Sequence, residues 1–191
     1  MNRVQILLLA GLVVGCGKDS GQVNQSDAVA PLLGVQEEFT DSPGLLKTVI
    51  RDGNDKISMT GYYLRGKKES SWVEYHPNGS MIKSLSSYVQ DKKEGMSLEF
   101  NTSNQLVKRY FYHNDQLHGE YKEYNAALIK EERYYEQGKL EGIVRIYYDG
   151  GALLEEGYYK SGVREGISKW YDKAGNITIQ YEYKNGQLVK K

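Results

Sequence analysis

The sequence predicts an all-β protein: an elongated, single-layer antiparallel sheet of successive β-hairpin repeats of about 24 residues. Three observations support this fold class, namely an internal period, regularly placed turn residues and short apolar runs between them. The period is set by six tyrosines at intervals of 23–25 residues: Tyr63, Tyr88, Tyr112, Tyr135, Tyr159 and Tyr183. A repeat of this length is the mark of an array, so each residue is interpreted by its place in the unit.

Further positions recur in register when the first tyrosine of each unit is counted as zero. The seventh position holds a small residue: Ser70, Gly95, Gly119, Gly142 and Gly166. The twelfth position holds a second aromatic residue: Tyr75, Phe100, Tyr124, Tyr147 and Tyr171. A cluster of turn residues follows each second aromatic, so every unit contains two runs and two turns.

Each unit is predicted to be a β-hairpin. Dipeptides such as Asn185-Gly186, Ser161-Gly162, Gln137-Gly138 and Asn114-Asp115 lie between runs rich in Tyr, Val, Ile and Leu. Two-residue hairpin turns require residues that tolerate positive φ, and these residue types do. The runs are about five to eight residues long, which suits strands and is too short for helices.

The glycine at the seventh position falls inside a predicted strand, where glycine normally weakens the structure. Two explanations are open: an aromatic ring lying over the bare backbone, or a β-bulge. We favour the ring. A bulge would reverse which of the following residues face each side of the sheet.

From Gly61 to Lys191 these residues resemble the MORN repeat, in its bacterial variant of tyrosine, turn, Gly-Lys-x-x-Gly, aromatic and turn. Ser70, Asp91, Asp115 and Leu128 depart from that pattern. The resemblance implies an elongated, twisted sheet of hairpins. It also implies protein binding or membrane association, and in bacteria the family often carries a provisional antitoxin label. Fold alone does not determine function.

The amino terminus predicts export and lipidation. Residues 1–15 form a charged start followed by an apolar run too short to span a bilayer, which is typical of a signal peptide. Val13, Val14, Gly15 and Cys16 resemble a bacterial lipobox, which implies that Cys16 is acylated and becomes the mature amino terminus. The alternatives are ordinary cleavage or a lone free thiol. Gly17, where the sorting rule of enteric bacteria would need aspartate for retention, favours the outer membrane.

The remaining chain divides into a tether and a sheet. Residues 16–44 are rich in Gly, Ser, Gln and Asp and are expected to form a flexible tether from lipidated Cys16. Residues 45–191 are the predicted repeat domain, with a degenerate first hairpin at 45–60 and the repeats from about residue 61. Terminal units of such arrays are atypical because they cap an open end.

No enzyme, cofactor or metal site is predicted. The sixth position carries Glu69, Glu94, Glu141 and Glu165. These glutamates are either a solvated row beside lysines, which we favour, or a glycosidase-like carboxylate pair. The three histidines, His76, His113 and His118, are too scattered for a metal set. A formal charge of zero at a pI near 6.8 argues against nucleic acid as a partner.

Three aromatic residues are the predicted partner-binding candidates: Trp72, Tyr121 and Trp170. They occupy the ninth and eleventh positions, where other units have Ser or Glu, so they need not be structural, and they share strand parity. The favoured function is a non-catalytic, lipid-anchored envelope scaffold that binds a protein, with an immunity-like role open. The alternative is a carbohydrate or cell-wall binder, or a degraded hydrolase, that uses the aromatic residues and the glutamate row.

Overall fold

The computed structural model describes residues 6–7 and 34–190 of the chain, and every regular element in these ranges is a β-strand. Cys16, most of the predicted signal peptide and the predicted tether as far as residue 33 lie outside the described residues. Among the described residues, no helix has the length and apolar composition that crossing a bilayer requires.

Sixteen strands form one sheet, and each pairs antiparallel with its neighbours in the chain. The strands are β1 (Ile6–Leu7), β2 (Val35–Glu38), β3 (Leu45–Arg51), β4 (Ile57–Leu64), β5 (Lys67–Tyr75), β6 (Ile82–Val89), β7 (Lys92–Phe100), β8 (Leu106–His113), β9 (Gln116–Asn125), β10 (Leu128–Glu136), β11 (Lys139–Leu140), β12 (Gly142–Tyr147), β13 (Leu153–Lys160), β14 (Val163–Tyr171), β15 (Ile177–Lys184) and β16 (Gln187–Lys190). Chain order is also spatial order, except that β11 pairs only with β10. The predicted fold class, a single open antiparallel sheet of hairpins, is confirmed.

Tight two-residue turns join the two strands of each hairpin. They all lie at the same ends of the strands, along a border of the sheet that we call the tight-turn edge. In the Asn185-Gly186 turn both residues have positive φ, at 51° and 79°, and the Ser161-Gly162 turn is similar at 51° and 86°. Two successive positive φ values define the type I′ turn, whose twist matches that of paired strands. The turns predicted from the dipeptides are therefore confirmed.

Asp and Asn side chains stabilise the longer turns, which lie at the opposite ends of the strands from the tight turns. Asp172 is representative: its Oδ1 accepts hydrogen bonds from the backbone N–H groups of Ala174 and Asn176. Asp52 and Asn101 hold their loops in the same way. These local bonds satisfy the loop backbone without a packed layer beneath it.

The sheet begins before the predicted boundary at residue 45. The hairpin of β3 and β4 occupies the runs expected for the first, degenerate unit. However, Val35–Glu38 lies within the predicted tether and pairs with β3 from Val35↔Val49 to Glu38↔Leu46. The Phe39 ring lies 6.3 Å from the Tyr62 ring, measured between centroids. Because β3 would otherwise present an unpaired edge, this short strand completes its hydrogen bonding.

The glycine at the seventh position marks a β-bulge, and our preference for an overlying ring is wrong. Gly95, Gly119, Gly142 and Gly166 all have positive φ, and the register shifts beside most of them. A Cβ built at Gly142 or Gly166 would meet no atom within 4 Å, so no ring covers either residue. Glycine is used because left-handed backbone strains other residues. Ser70 adopts the same conformation with φ of 60°.

Candidate binding surfaces of the sheet

One face carries the first tyrosines of the units, and we call it the tyrosine face. Its centre is a row of side chains that runs across the strands and contains both small and large residues. This central row comprises Thr48, Gly61, Trp72, Ser86, Ser97, Tyr110, Tyr121, Arg133, Val144, Gly157, Ser168 and Tyr181. The row supplies the core of this single-layer sheet because large side chains cover the small ones beside them.

Trp72 belongs to this core, so its assignment as an exposed partner-binding residue is wrong. Its side chain is only 3% exposed, and a Cβ at Gly61 would overlap its indole ring. The indole N–H donates a hydrogen bond to the Tyr62 carbonyl oxygen at 3.1 Å. The Tyr63 ring packs edge-on at 5.0 Å between centroids. We expected an aromatic ring to cover the glycine at the seventh position. Such a ring is present, but it is the Trp72 ring and it covers Gly61.

The ninth position is buried in four of the five units, and half-buried in the unit that has Tyr121 there. Ser97, Val144 and Ser168 occupy it in other units and are all buried. The residue type varies at this position, which suggested that the position is not structural. The variation instead follows the size of the residue opposite. Trp72 pairs with the small Ser86, and Val144 pairs with Gly157.

Tyr121 and Trp170 are half-buried on the same face as Trp72. Tyr121 stacks on Tyr110 at 5.6 Å, and its hydroxyl donates a 2.7 Å hydrogen bond to Glu123. Trp170 packs edge-on against Tyr181 at 5.5 Å, with the Arg164 guanidinium 5.6 Å from its ring. Part of each ring remains open to solvent, so their partner-binding role stays a prediction.

The glutamates at the sixth position connect successive units. Glu165 accepts a 2.7 Å hydrogen bond from the backbone N–H of Asn185, the first residue of the next tight turn. The same bond joins Glu69 to Gln90, Glu94 to Asn114 and Glu141 to Ser161. The bond from Asn114 is the main reason that the pKa of Glu94 lies below its ordinary value. These carboxylates thus have a structural role, as backbone acceptors along the tight-turn edge.

The histidines are closer together than the sequence suggested. The rings of His113 and His118 are 5.8 Å apart between centroids, and His113 Nδ1 lies 2.8 Å from Glu94 Oε1. His76 lies at the other edge, beside the Phe100 carbonyl oxygen. Within the described part of the chain, no group of three or more His, Cys, Asp and Glu residues could hold a metal ion.

A second row of carboxylates lies on the tyrosine face, beside the central row, and sequence reasoning missed it. It contains Glu74, Glu99, Glu123, Glu131 and Glu155. Most of these carboxylates accept hydrogen bonds from tyrosine hydroxyls or cationic side chains on the same face. Tyr110 donates to Glu99 at 2.7 Å, and Arg164 pairs with Glu155 at 2.6 Å. Burial and the Glu99 carboxylate raise the pKa of Tyr110 well above its ordinary value.

The opposite face carries a run of exposed apolar residues. Four residues follow one another across β10, β12, β13 and β14, and each is 40–50% exposed: Tyr134, Ile143, Tyr158 and Ile167. We call them the apolar row. Sequence reasoning missed them, although adjacent tyrosines such as Tyr134-Tyr135 must point to opposite faces of a strand.

Charged residues that neutralise one another flank the apolar row on this face. The Lys122 ammonium lies 3.1 Å from Glu132, and the Arg145 guanidinium lies 2.8 Å from Glu156. The Tyr147 hydroxyl donates a further hydrogen bond to Glu132. An apolar centre beside balanced charges is the composition of a protein interface rather than of a surface for phosphate groups.

The fold and these surfaces define an open β-repeat scaffold. Residues 140–161 and 164–190 match the family described as MORN repeat variant. Repeats of this family are in general modules for interaction with proteins or membranes, and they are typically non-catalytic. A comparison with curated proteins finds no match to the chain.

Proposed function

We propose that this protein is a non-catalytic, lipid-anchored scaffold of the bacterial envelope, and that its sheet binds a protein partner through the apolar row. The observation that carries the proposal is the row itself. Four large side chains, Tyr134, Ile143, Tyr158 and Ile167, are 40–50% exposed on one face of a sheet that has no second layer among the described residues. Aromatic residues are enriched at the centres of protein interfaces.

A protein fits this surface better than an anionic membrane or a nucleic acid. Recognition of phosphate groups requires excess positive charge. Here the basic side chains beside the row, Lys122 and Arg145, are paired with Glu132 and Glu156, and the whole chain has a formal charge of zero. The membrane contact in this proposal comes instead from acylation of Cys16. An immunity-like role is compatible with such a scaffold and follows only from the resemblance.

The carbohydrate-binding alternative loses its main supports. It required exposed aromatic rings and free glutamates. Trp72 is buried, and the sixth-position glutamates accept backbone hydrogen bonds. Tyr121 and Trp170 remain the aromatic residues of the original set that a ligand on the tyrosine face could reach.

The partner proposal is tested by crosslinking in intact envelopes. The test variant combines Ile143→Thr and Ile167→Thr, which remove apolar area from the row and keep a β-branched residue in each strand. The matched control combines Ile177→Thr and Ile179→Thr in β15, where the isoleucines are 51% and 44% exposed but lie outside the row. We expect a protein to be captured by the native chain and by the control but not by the test variant.

Direct binding then completes this test. The captured protein, once purified, should bind the native chain at least tenfold more tightly than the Ile143/Ile167 variant. Equal binding to the two, or capture of glycan alone, would overturn the proposal. Lipidation is tested separately: Cys16→Ser should prevent acylation and release the protein from the membrane fraction.

A further inference from the structure

A small pocket on the tyrosine face, between β4 and β7, has no part in the scaffold described above. Its volume is about 100 Å³, and its lining includes Lys68, Lys93, Ser84 and Ser86. Trp72 and Tyr88 form an aromatic side, and Glu74 lies at its margin. The pocket lies on the opposite side of the sheet from the apolar row, so a ligand could occupy it without touching that row.

Small residues on β6 and β7 leave this space open. The position of Ser86 is occupied by Tyr110, Arg133 and Tyr181 in three other units and by a glycine in two, and Ser86 lies beside Ser97, which is also small. The position of Ser84 is likewise occupied elsewhere by larger side chains: Lys108, Glu131, Glu155 and Ile179. In the units with Tyr110, Arg133 or Tyr181, a long side chain stands where Ser86 leaves space here.

Two ammonium groups face this space. Lys68 Nζ lies 4.3 Å from the Trp72 ring and 4.9 Å from the Tyr88 ring, and Lys93 Nζ lies 4.9 Å from the Tyr112 ring. Within the described residues, neither ammonium forms a salt bridge. Arg164, which occupies the position of Lys68 in another unit, does form one, with Glu155 at 2.6 Å. Neither lysine of the pocket therefore has a direct ion-pair partner there.

The nearby Glu74 carboxylate does not neutralise the ammonium groups of Lys68 and Lys93. Glu74 accepts hydrogen bonds from Lys83 Nζ at 2.7 Å and from the Ser84 hydroxyl at 3.2 Å. Burial lowers the pKa of Lys68, the Asp91 carboxylate opposes this effect, and the Lys93 ammonium adds to it. Proximity of a second cation thus disfavours the charge on Lys68, and a bound anion would relieve that repulsion.

We propose that this pocket binds a single carboxylate group between the ammonium groups of Lys68 and Lys93. Its volume suits one such group rather than a whole drug-sized molecule, which needs about 300 Å³ or more. The neighbouring Glu74 carboxylate disfavours a doubly charged phosphate. The Ser86 hydroxyl adds a hydrogen-bond donor at the base of the pocket. The carboxylate belongs either to a free organic acid or to an acidic side chain of a polypeptide.

The test follows backbone amide resonances of the full-length ¹⁵N-labelled protein during titration with acetate at constant ionic strength. We expect saturable shifts at Lys68, Ser86 and Lys93, with a Kd on the order of 1 mM. Lys93→Gln should abolish saturation. Lys92→Gln is the matched control, because it removes the same charge from the adjacent residue, whose ammonium reaches Asn114 on the other side of the strand.

Filling the pocket provides a second test that keeps both lysines. Ser84→Ile introduces the residue that β15 carries at this position, Ile179, and Ser84→Glu introduces the residue that two other units carry there. Each should abolish saturable binding while the rest of the amide spectrum stays unchanged. Shifts that do not saturate, or an equal loss with Lys92→Gln, would overturn the proposal.

Two further titrations identify the kind of anion. Inorganic phosphate that binds as tightly as acetate would overturn the assignment to a carboxylate. A short glutamate-containing peptide that binds tenfold more tightly than acetate would assign the group to a polypeptide, whereas equal affinity would assign it to a free organic acid. None of these results depends on whether the apolar row binds a protein.

Discussion

Size matching between neighbouring residues stabilises the sheet at the scale of single side chains. Trp72 covers Gly61, and Val144, at the ninth position of another unit, pairs with Gly157. We therefore expect each ninth-position residue to fit best with its own neighbours. A substitution that looks conservative within the repeat consensus is costly when the opposing residue does not change with it.

The pairing of Gly61 with Trp72 can be measured by a double-mutant cycle. Gly61→Ala should reduce the free energy of unfolding by about 1–3 kcal/mol, because the new methyl group overlaps the indole ring. In a Trp72→Val background, which copies Val144, the same change should cost less than about 0.5 kcal/mol. Urea unfolding followed by far-UV circular dichroism gives both values.

The control for this cycle is Gly150→Ala, because Gly150 has open space around its Cβ position. That substitution should change the free energy of unfolding by no more than about 0.5 kcal/mol. If Gly61→Ala costs the same in both backgrounds, the indole ring is not the reason for glycine at this position.

The bulge is the feature that distinguishes these hairpins from regular ones at the scale of strands. It adds residues to the strand after each tight turn and shifts the register, as between Glu156 and Tyr158 in the pairing of β13 with β14. The bulge also leaves the sixth-position glutamate close to the next turn, where Glu165 accepts its hydrogen bond from Asn185. One backbone irregularity thus sets both the strand register and the contacts between units.

Gly142 tests this explanation, because its positive φ and open surroundings separate backbone strain from steric overlap. Gly142→Val should lower the free energy of unfolding by about 1–3 kcal/mol, since a β-branched residue is strained at φ of 78°. Gly142→Asn should cost less than about 1 kcal/mol, because Asn tolerates this conformation. Chemical denaturation of both variants distinguishes the cases, and equal losses would show that strain is not the cause.

The described sheet behaves as a one-dimensional array at the scale of the molecule, because each strand pairs only with its neighbours. In such arrays stability is close to a sum of unit and interface terms. The fifteen strands that follow one another span roughly 70 Å at about 4.8 Å per strand. The length of the sheet, and hence the extent of either face, can therefore change by whole units.

Removal of one unit provides the test. Deletion of residues 139–162 joins Gly138 to Val163 at equivalent positions of the repeat and should give a shorter sheet that still folds. Deletion of residues 139–150 removes half a unit, puts the following strands out of register and should abolish cooperative unfolding. Thermal unfolding of both chains checks this prediction, which fails if the two deletions have the same effect.

The stability of the sheet should also fall in alkali. Burial is the first cause of a raised pKa at Tyr63, Tyr110, Tyr121 and Tyr147. Together with the Glu132 carboxylate, it brings the pKa of Tyr147 to about 12. The unfolded chain ionises its tyrosines near pH 10, before the folded chain does, so rising pH favours unfolding. The free energy of unfolding should fall from about pH 10 to pH 12. A constant value over that range would contradict this expectation.

The sequence alone determined the period, the hairpins and the tight turns of this protein, because these follow from the local backbone preferences of residues that recur in each unit. Asn185-Gly186 specifies its turn without reference to any distant residue. The tertiary structure decided which aromatic residues are buried, where the sheet begins, and which faces carry the apolar row and the pocket beside Lys68 and Lys93. These features depend on strand register, and a bulge of the kind found at Gly142 shifts that register and reassigns the residues that meet across the strands.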